Sequence, residues 1–130
     1  MKKTMSIALA AITSLSLLLA MAPPASARAD AARVTTQGHC SGQASWKLHV
    51  APENGRLQVE FEVHQATAGD RWAVRIRENG AALWSGSRTV QGDGSFDVKH
   101  LARNTSGSDR FVARATNGST GEVCVGKATF

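Results

Sequence analysis

The sequence contains no tyrosine, only two cysteines and only three prolines. Aromatic residues make up 5% of its 130 positions, too few for several sets of the coplanar rings that sugar-gripping surfaces use. Neither cysteine has a second thiol within metal-ligand or CxxC spacing, which leaves no basis for a thiolate zinc site or a dithiol redox centre. His39, His49, His64 and His100 do not fall in His-x₃₋₅-His pairs, so the other half of a zinc motif is missing as well. There is no nucleophile elbow, no Ser/His/Asp spacing and no paired-carboxylate motif, so no catalytic residue can be named. No metal and no cofactor is implied.

The N-terminal segment does carry a pattern. Lys2 and Lys3 precede a mostly apolar run from Ile7 to Ala22, Pro23-Pro24 ends it, and Ala25-Ser26-Ala27 offers small residues for cleavage. That is the layout of a secretory signal peptide over residues 1–27, with Ala27-Arg28-Ala29 as an alternative cut. The apolar run is therefore counted neither as a membrane anchor nor as core. No anchoring tail follows at Ala128-Thr129-Phe130, and the expectation is a secreted, extracellular protein. Of the 15 basic residues, Lys2, Lys3 and Arg28 precede a cut after Ala29, leaving 12 against 10 acidic residues. The remaining Arg residues alternate along the chain with Glu and Asp, so the sequence predicts no basic face and no nucleic-acid partner.

After a flexible lead-in over residues 28–38, the apolar period becomes two, with turn signals every eight to twelve residues. The expected domain is a single one over 39–130. Trp46, Leu48 and Val50 form one buried row, and Leu57, Val59, Phe61 and Val63 another. With Pro52-Glu53-Asn54-Gly55 as a four-residue loop, Ala51 pairs with Arg56, Trp46 faces Phe61, and Lys47 meets Glu60. Trp72, Val74 and Ile76 form a third buried row. Asn79-Gly80 supplies the positive-φ pair of a tight hairpin, which sets Ile76 against Leu83 and Arg75 against Trp84. Trp84 thereby becomes the tryptophan placed in solvent, with Arg75 beside it. Gly92-Asp93-Gly94 reads as a further hairpin turn, with Phe96 and Val98 going in and Leu101 a further candidate. Phe111, Ala113 and Ala115 line the penultimate strand. Whether Cys124 or its neighbours Val123 and Val125 point inward is left open by the pattern. The sum is an all-β, immunoglobulin-like antiparallel sandwich of about seven strands.

Cys40 and Cys124 stand near the two ends of this domain. An exported chain meets an oxidising environment in which thiols pair, and one terminal-to-terminal disulfide is the expected outcome.

Two clusters merit attention as sites. Glu60, Glu62 and His64 share one strand face, although alternation on a solvated face places polar residues there in any case. Trp84 with Arg75 is the better candidate, as a stacking surface for a sugar ring or another flat ligand.

The run Cys40-Ser41-Gly42, Ser45-Trp46-Lys47-Leu48, Glu60-Phe61-Glu62-Val63, Asn79-Gly80, Gly94-Ser95-Phe96 and Thr120-Gly121-Glu122-Val123-Cys124 resembles a group of uncharacterised small secreted proteins of high-GC Gram-positive bacteria. That resemblance implies export and one disulfide-closed domain, and no activity. A looser similarity to family 2 carbohydrate-binding modules rests on the β-sandwich length, the Cys near each end and the strand tryptophans. The expected function is a non-catalytic extracellular recognition or accessory role, with a polysaccharide or a protein as partner. A polysaccharide-binding module using Trp84 and Arg75 is the first alternative, and a small secreted enzyme or toxin the second.

Overall fold

A computed structural model describes residues 32–130, and the leader proposed for 1–27 lies outside them. The alternating segments become eight strands: β1 (Val34–His39), β2 (Ser45–Glu53), β3 (Arg56–His64), β4 (Arg71–Glu78), β5 (Ala81–Thr89), β6 (Phe96–Arg103), β7 (Arg110–Asn117) and β8 (Val123–Thr129). They form two antiparallel four-stranded sheets, β1-β2-β3-β6 and β5-β4-β7-β8. In immunoglobulin terms the second sheet is C′-C-F-G. The first is A-B-E, with β1 added outside A.

β1 is the eighth strand, and it corrects the expectation of a flexible lead-in through residue 38. Val34, Thr35 and Thr36 are β-branched and suited to an extended backbone. β1 pairs with β2 from Val34↔Val50 to His39↔Ser45, and Thr36 Oγ1 donates to the Lys127 carbonyl at 2.9 Å.

The β2–β3 register differs from the expected one by two residues. Asn54 and Gly55 take φ of 48° and 78°, so they alone form the turn, and Pro52 and Glu53 extend the strand to meet Leu57 and Arg56. Leu48 then faces Phe61, Trp46 faces Val63, and Lys47 faces Glu62. Because the shift is even, every side chain keeps its expected face. The buried row Leu48, Val50, Leu57, Val59, Phe61, Val63 is therefore the expected one although the cross-strand partners differ.

At the β4–β5 hairpin the two-residue turn forms as expected, with Glu78 opposite Ala81. A β-bulge follows. The register shifts between Ile76 and Arg77, Leu83 is skipped, and Ile76 faces Trp84 while Arg75 faces Ser85. A bulge inserts one residue and so inverts every later face. β5 and β6 belong to different sheets, so the Gly92-Asp93-Gly94 stretch is a crossing between layers and not a hairpin turn. Leu101 points outward, 44% exposed, while Ala102 is buried, because parity from Phe96 and Val98 carries position 102 inward. On β8, Cys124 and Ala128 point in.

The two open sides of the sandwich are unlike. On one side β8 lies against β1 and β2, closed by the Cys40–Cys124 disulfide. Ser41 N donates to Val123 O at 2.8 Å, and Val123 N donates to Ser41 Oγ at 2.9 Å. Trp46 fills the same side, seated so tightly that a Cβ at Gly38 or Gly126 would come within 2.8 or 2.9 Å of its ring. On the other side β5 and β6 run as separate edges, bridged by Arg88 Nε donating to Asp97 O at 3.3 Å.

Candidate functional site

The expected pairing of Trp84 with Arg75 does not form. The bulge turns Trp84 to the inner face of β5, where it is half-buried and packs on the core. Its ring lies over Gly86, where a Cβ would fall 2.7 Å away, and its cation is Arg88, 4.9 Å from the ring centroid. Arg75 is exposed on the opposite face. Trp46, expected to be buried, is also only half-buried, whereas Trp72 is fully buried. Acrylamide should therefore quench two tryptophans and spare one. Trp46→Phe and Trp84→Phe should each remove a comparable share of the quenchable emission; a share carried by Trp84 alone would contradict this placement.

The outer face of the first sheet mixes charges. His49 Nε2 lies 3.2 Å from Glu62 Oε2 and its Nδ1 2.9 Å from Thr35 Oγ1. His64 Nε2 approaches the same Glu62 oxygen at 3.7 Å, and Lys99 pairs with Glu60 at 3.6 Å. Glu60 thus has a cation from β6, not from Lys47. Among the described residues no group of three His, Cys, Asp or Glu side chains is arranged to hold a metal ion.

A depression of about 430 Å³ opens beside the disulfide, among the loops at one end, lined by Ser41, Gln43, Thr67, Asn117, Thr120 and Glu122. Its polar groups are already engaged. Glu122 Oε2 accepts from Ala44 N at 3.2 Å, Asn117 Oδ1 accepts from Ser119 N at 2.8 Å, and Asn117 Nδ2 donates to Asp70 Oδ2 at 2.8 Å. These bonds brace the loops and leave no convergent set of unsatisfied donors.

The outer face of the second sheet is different in kind. Outward positions of β4 hold Arg71, Arg75 and Arg77, those of β7 hold Arg110 and Arg114, and β8 adds Lys127; all six are exposed. Cross-strand registers bring them together: Arg75 lies directly opposite Arg114, and Val112 stands between Arg77 and Lys127. The positions between them are short or β-branched: Ala73, Ser85, Ser87, Thr116, Val123 and Val125. No Asp or Glu lies on this face. The three ion pairs among the described residues all involve β2, β3 or β6 of the other sheet.

This face was not expected, and the reason is geometric. Along the chain three of the five Arg adjoin an acid, in Asp70-Arg71, Arg77-Glu78 and Asp109-Arg110. In a strand, neighbours in sequence point to opposite faces. Glu78 takes the inner parity, and Asp70 and Asp109 stand at the strand ends. Sequence interleaving therefore becomes spatial separation. Counting charge at every second residue of β4 and β7 would have revealed it.

Fold and face together define an immunoglobulin-like β-sandwich, closed by a disulfide on one side and bearing one cationic sheet. The chain matches no protein-family model, no curated protein and no solved structure. Among the described residues no helix is long and apolar enough to cross a membrane, and the disulfide is compatible with an extracellular location.

Proposed function

We propose that this protein is exported and acts outside the cell as a non-catalytic recognition module that docks an anionic partner on the outer face of its second sheet. The signal-like segment at 1–27 and the disulfide support export. The observation that carries the docking role is the segregation of charge: six exposed cations share one face with no acid among them. Six like charges held together cost free energy through mutual repulsion. A polyanion laid across them relieves that cost and releases its own counterions. The face offers no Trp or Phe, so recognition works through charged groups and not through stacking on bases or sugar rings. The alternative site for a polysaccharide, Trp84 with Arg75, lacks its geometry because the two residues face opposite ways.

The test is retention of the oxidised mature protein on an immobilised anionic polymer. Affinity should fall by on the order of tenfold or more between about 50 and 200 mM salt. Charge reversal of Arg75 and Arg114 to Glu should abolish retention, while Lys47→Glu on the other sheet should leave it nearly unchanged. Equal losses from both would sink the assignment to this face.

A further inference from the structure

The cationic face holds one position unlike the rest, and it bears on the chemistry of the partner. Arg75 of β4 and Arg114 of β7 are direct cross-strand partners on the outer face. Directly opposite residues in an antiparallel pair have Cβ atoms about 4.5–5.5 Å apart, and like charges there are destabilising. Their row is completed by Ser85 and Val125, and their neighbours two positions along the strands are Ala73, Arg77, Val112 and Thr116. No carboxylate among these relieves the repulsion. Arg77 differs, since its guanidinium donates to the Gly80 carbonyl at 3.2 Å and is drawn toward the hairpin.

We propose that Arg75 and Arg114 form a two-armed clamp for a single phosphate group, and that the partner is a linear polymer bearing repeated phosphates. The inference rests on the reading of this face as an anion-docking surface and specifies its ligand. An Arg guanidinium presents two parallel N–H donors to one edge of an oxyanion. A carboxylate has one such edge, which a single guanidinium occupies. A tetrahedral phosphate has several, so two guanidiniums side by side can engage it together. The flanking cations Arg71, Arg110 and Lys127 extend the attraction along and across the strands, which suits a chain of charges better than an isolated ion. A lipid surface fits less well. The only large exposed hydrophobic among the described residues is Leu101, which lies on the other sheet, so the cationic face has no apolar wedge to enter a bilayer.

The experiment compares inorganic polyphosphate, polyglutamate of matched chain charge and phosphatidylglycerol vesicles as ligands for the oxidised mature protein. Wild type should bind polyphosphate at least about tenfold more tightly than polyglutamate, with vesicles weaker still. The Arg75→Lys/Arg114→Lys double variant keeps the charge and removes the forks. It should lose most of the preference for polyphosphate while its polyglutamate affinity stays within about twofold. Lys127→Gln should weaken both polymers by similar factors and leave the preference intact. Circular dichroism of each variant checks that the sandwich is intact, which is expected because every altered side chain is exposed. Equal affinity for the two polymers, or an undiminished preference in the lysine variant, would overturn the clamp and leave the anion-docking role standing. Binding to vesicles but not to polyphosphate would overturn the polymeric partner. Failure to bind any of the three would overturn the docking role as well.

Discussion

Replacing Cys40 and Cys124 together by alanine should lower the free energy of unfolding by about 4–5 kcal/mol, the chain-entropy expectation for a bond spanning 84 residues. A domain of this size has only about 5–15 kcal/mol in total, so the variant should melt roughly 15–30 °C below the oxidised protein. The magnitude follows from where the bond sits as well as from loop length. It closes the side where β8 of one sheet meets β1 and β2 of the other, a seam that otherwise holds through Ser41 with Val123 and Thr36 with Lys127. With the bond removed, β1 is an edge strand tied down by β2 and one threonine. Amide protons of β1 should lose protection first, and those of β4 and β7 at the centre of the second sheet last. Thermal melts with and without reductant, joined to hydrogen exchange, measure both effects. A melting point within a few degrees of the oxidised form would show that the seam stands without its covalent link.

The parts of this fold legible in the sequence are those that depend on parity alone. A period of two marks the buried rows of β2, β3, β4 and β7 whatever their partners, so the core was visible even where the register was not. Turn chemistry was legible at Asn79-Gly80, where both residues take positive φ. At Pro52-Glu53-Asn54-Gly55 the same Asn-Gly pair is present, but reading all four residues as the loop displaces the register by two. Pro52 is tolerated within β2 because it sits in the last residues of that strand, near the turn.

What parity could not supply was the bulge at Leu83. One inserted residue exchanged the faces of Trp84 and Ser85, and with them the predicted site. No local residue type announces this bulge; it fits a packing solution in which Trp84 lies over Gly86 and against the core. The cationic face was hidden for the opposite reason. It is a sum over three strands brought together only by the order β4-β7-β8, and linear charge counts average it away.

At the end of the sandwich opposite the disulfide, Asp109→Ala should destabilise the fold by about 3 kcal/mol, the scale for losing several hydrogen bonds to a buried charged acceptor. Asp109 is fully buried. Its carboxylate accepts from Thr105 N at 3.0 Å, Thr105 Oγ1 at 2.7 Å and Asn79 Nδ2 at 3.3 Å. Asn79 Oδ1 in turn accepts from Arg110 N at 2.9 Å, so one carboxylate ties the 104–109 loop to the β4–β5 turn. Burial pushes the Asp109 carboxyl up, but its hydrogen bonds outweigh that and hold it below the ordinary 3.8.

Glu78 beside it behaves oppositely. Burial, then the Asp109 charge and a hydrogen bond between the two carboxyls, raise Glu78 above 4.5, against a smaller opposing pull from Arg103. Its Oε1 is buried without a hydrogen-bond partner, a deficit that its own carboxyl proton helps to relieve. The signs of linkage therefore differ within one pair. The Asp109 contribution is fully present above its unfolded value and is lost as pH falls below about 3.8 toward its folded value. The Glu78 contribution is present below 4.5 and is lost as pH rises through its raised folded value. Glu78→Gln keeps the donor and removes the charge, so it should stabilise the protein at neutral pH and have little effect near pH 4. Asp109→Asn should flatten the acid limb of the stability curve. Urea melts from pH 3 to 8 on the two variants and wild type separate the contributions. A Glu78→Gln variant that is less stable than wild type at pH 7 would show that the ionised glutamate gains more from a cation, such as Arg103, than it loses to burial and to the Asp109 charge.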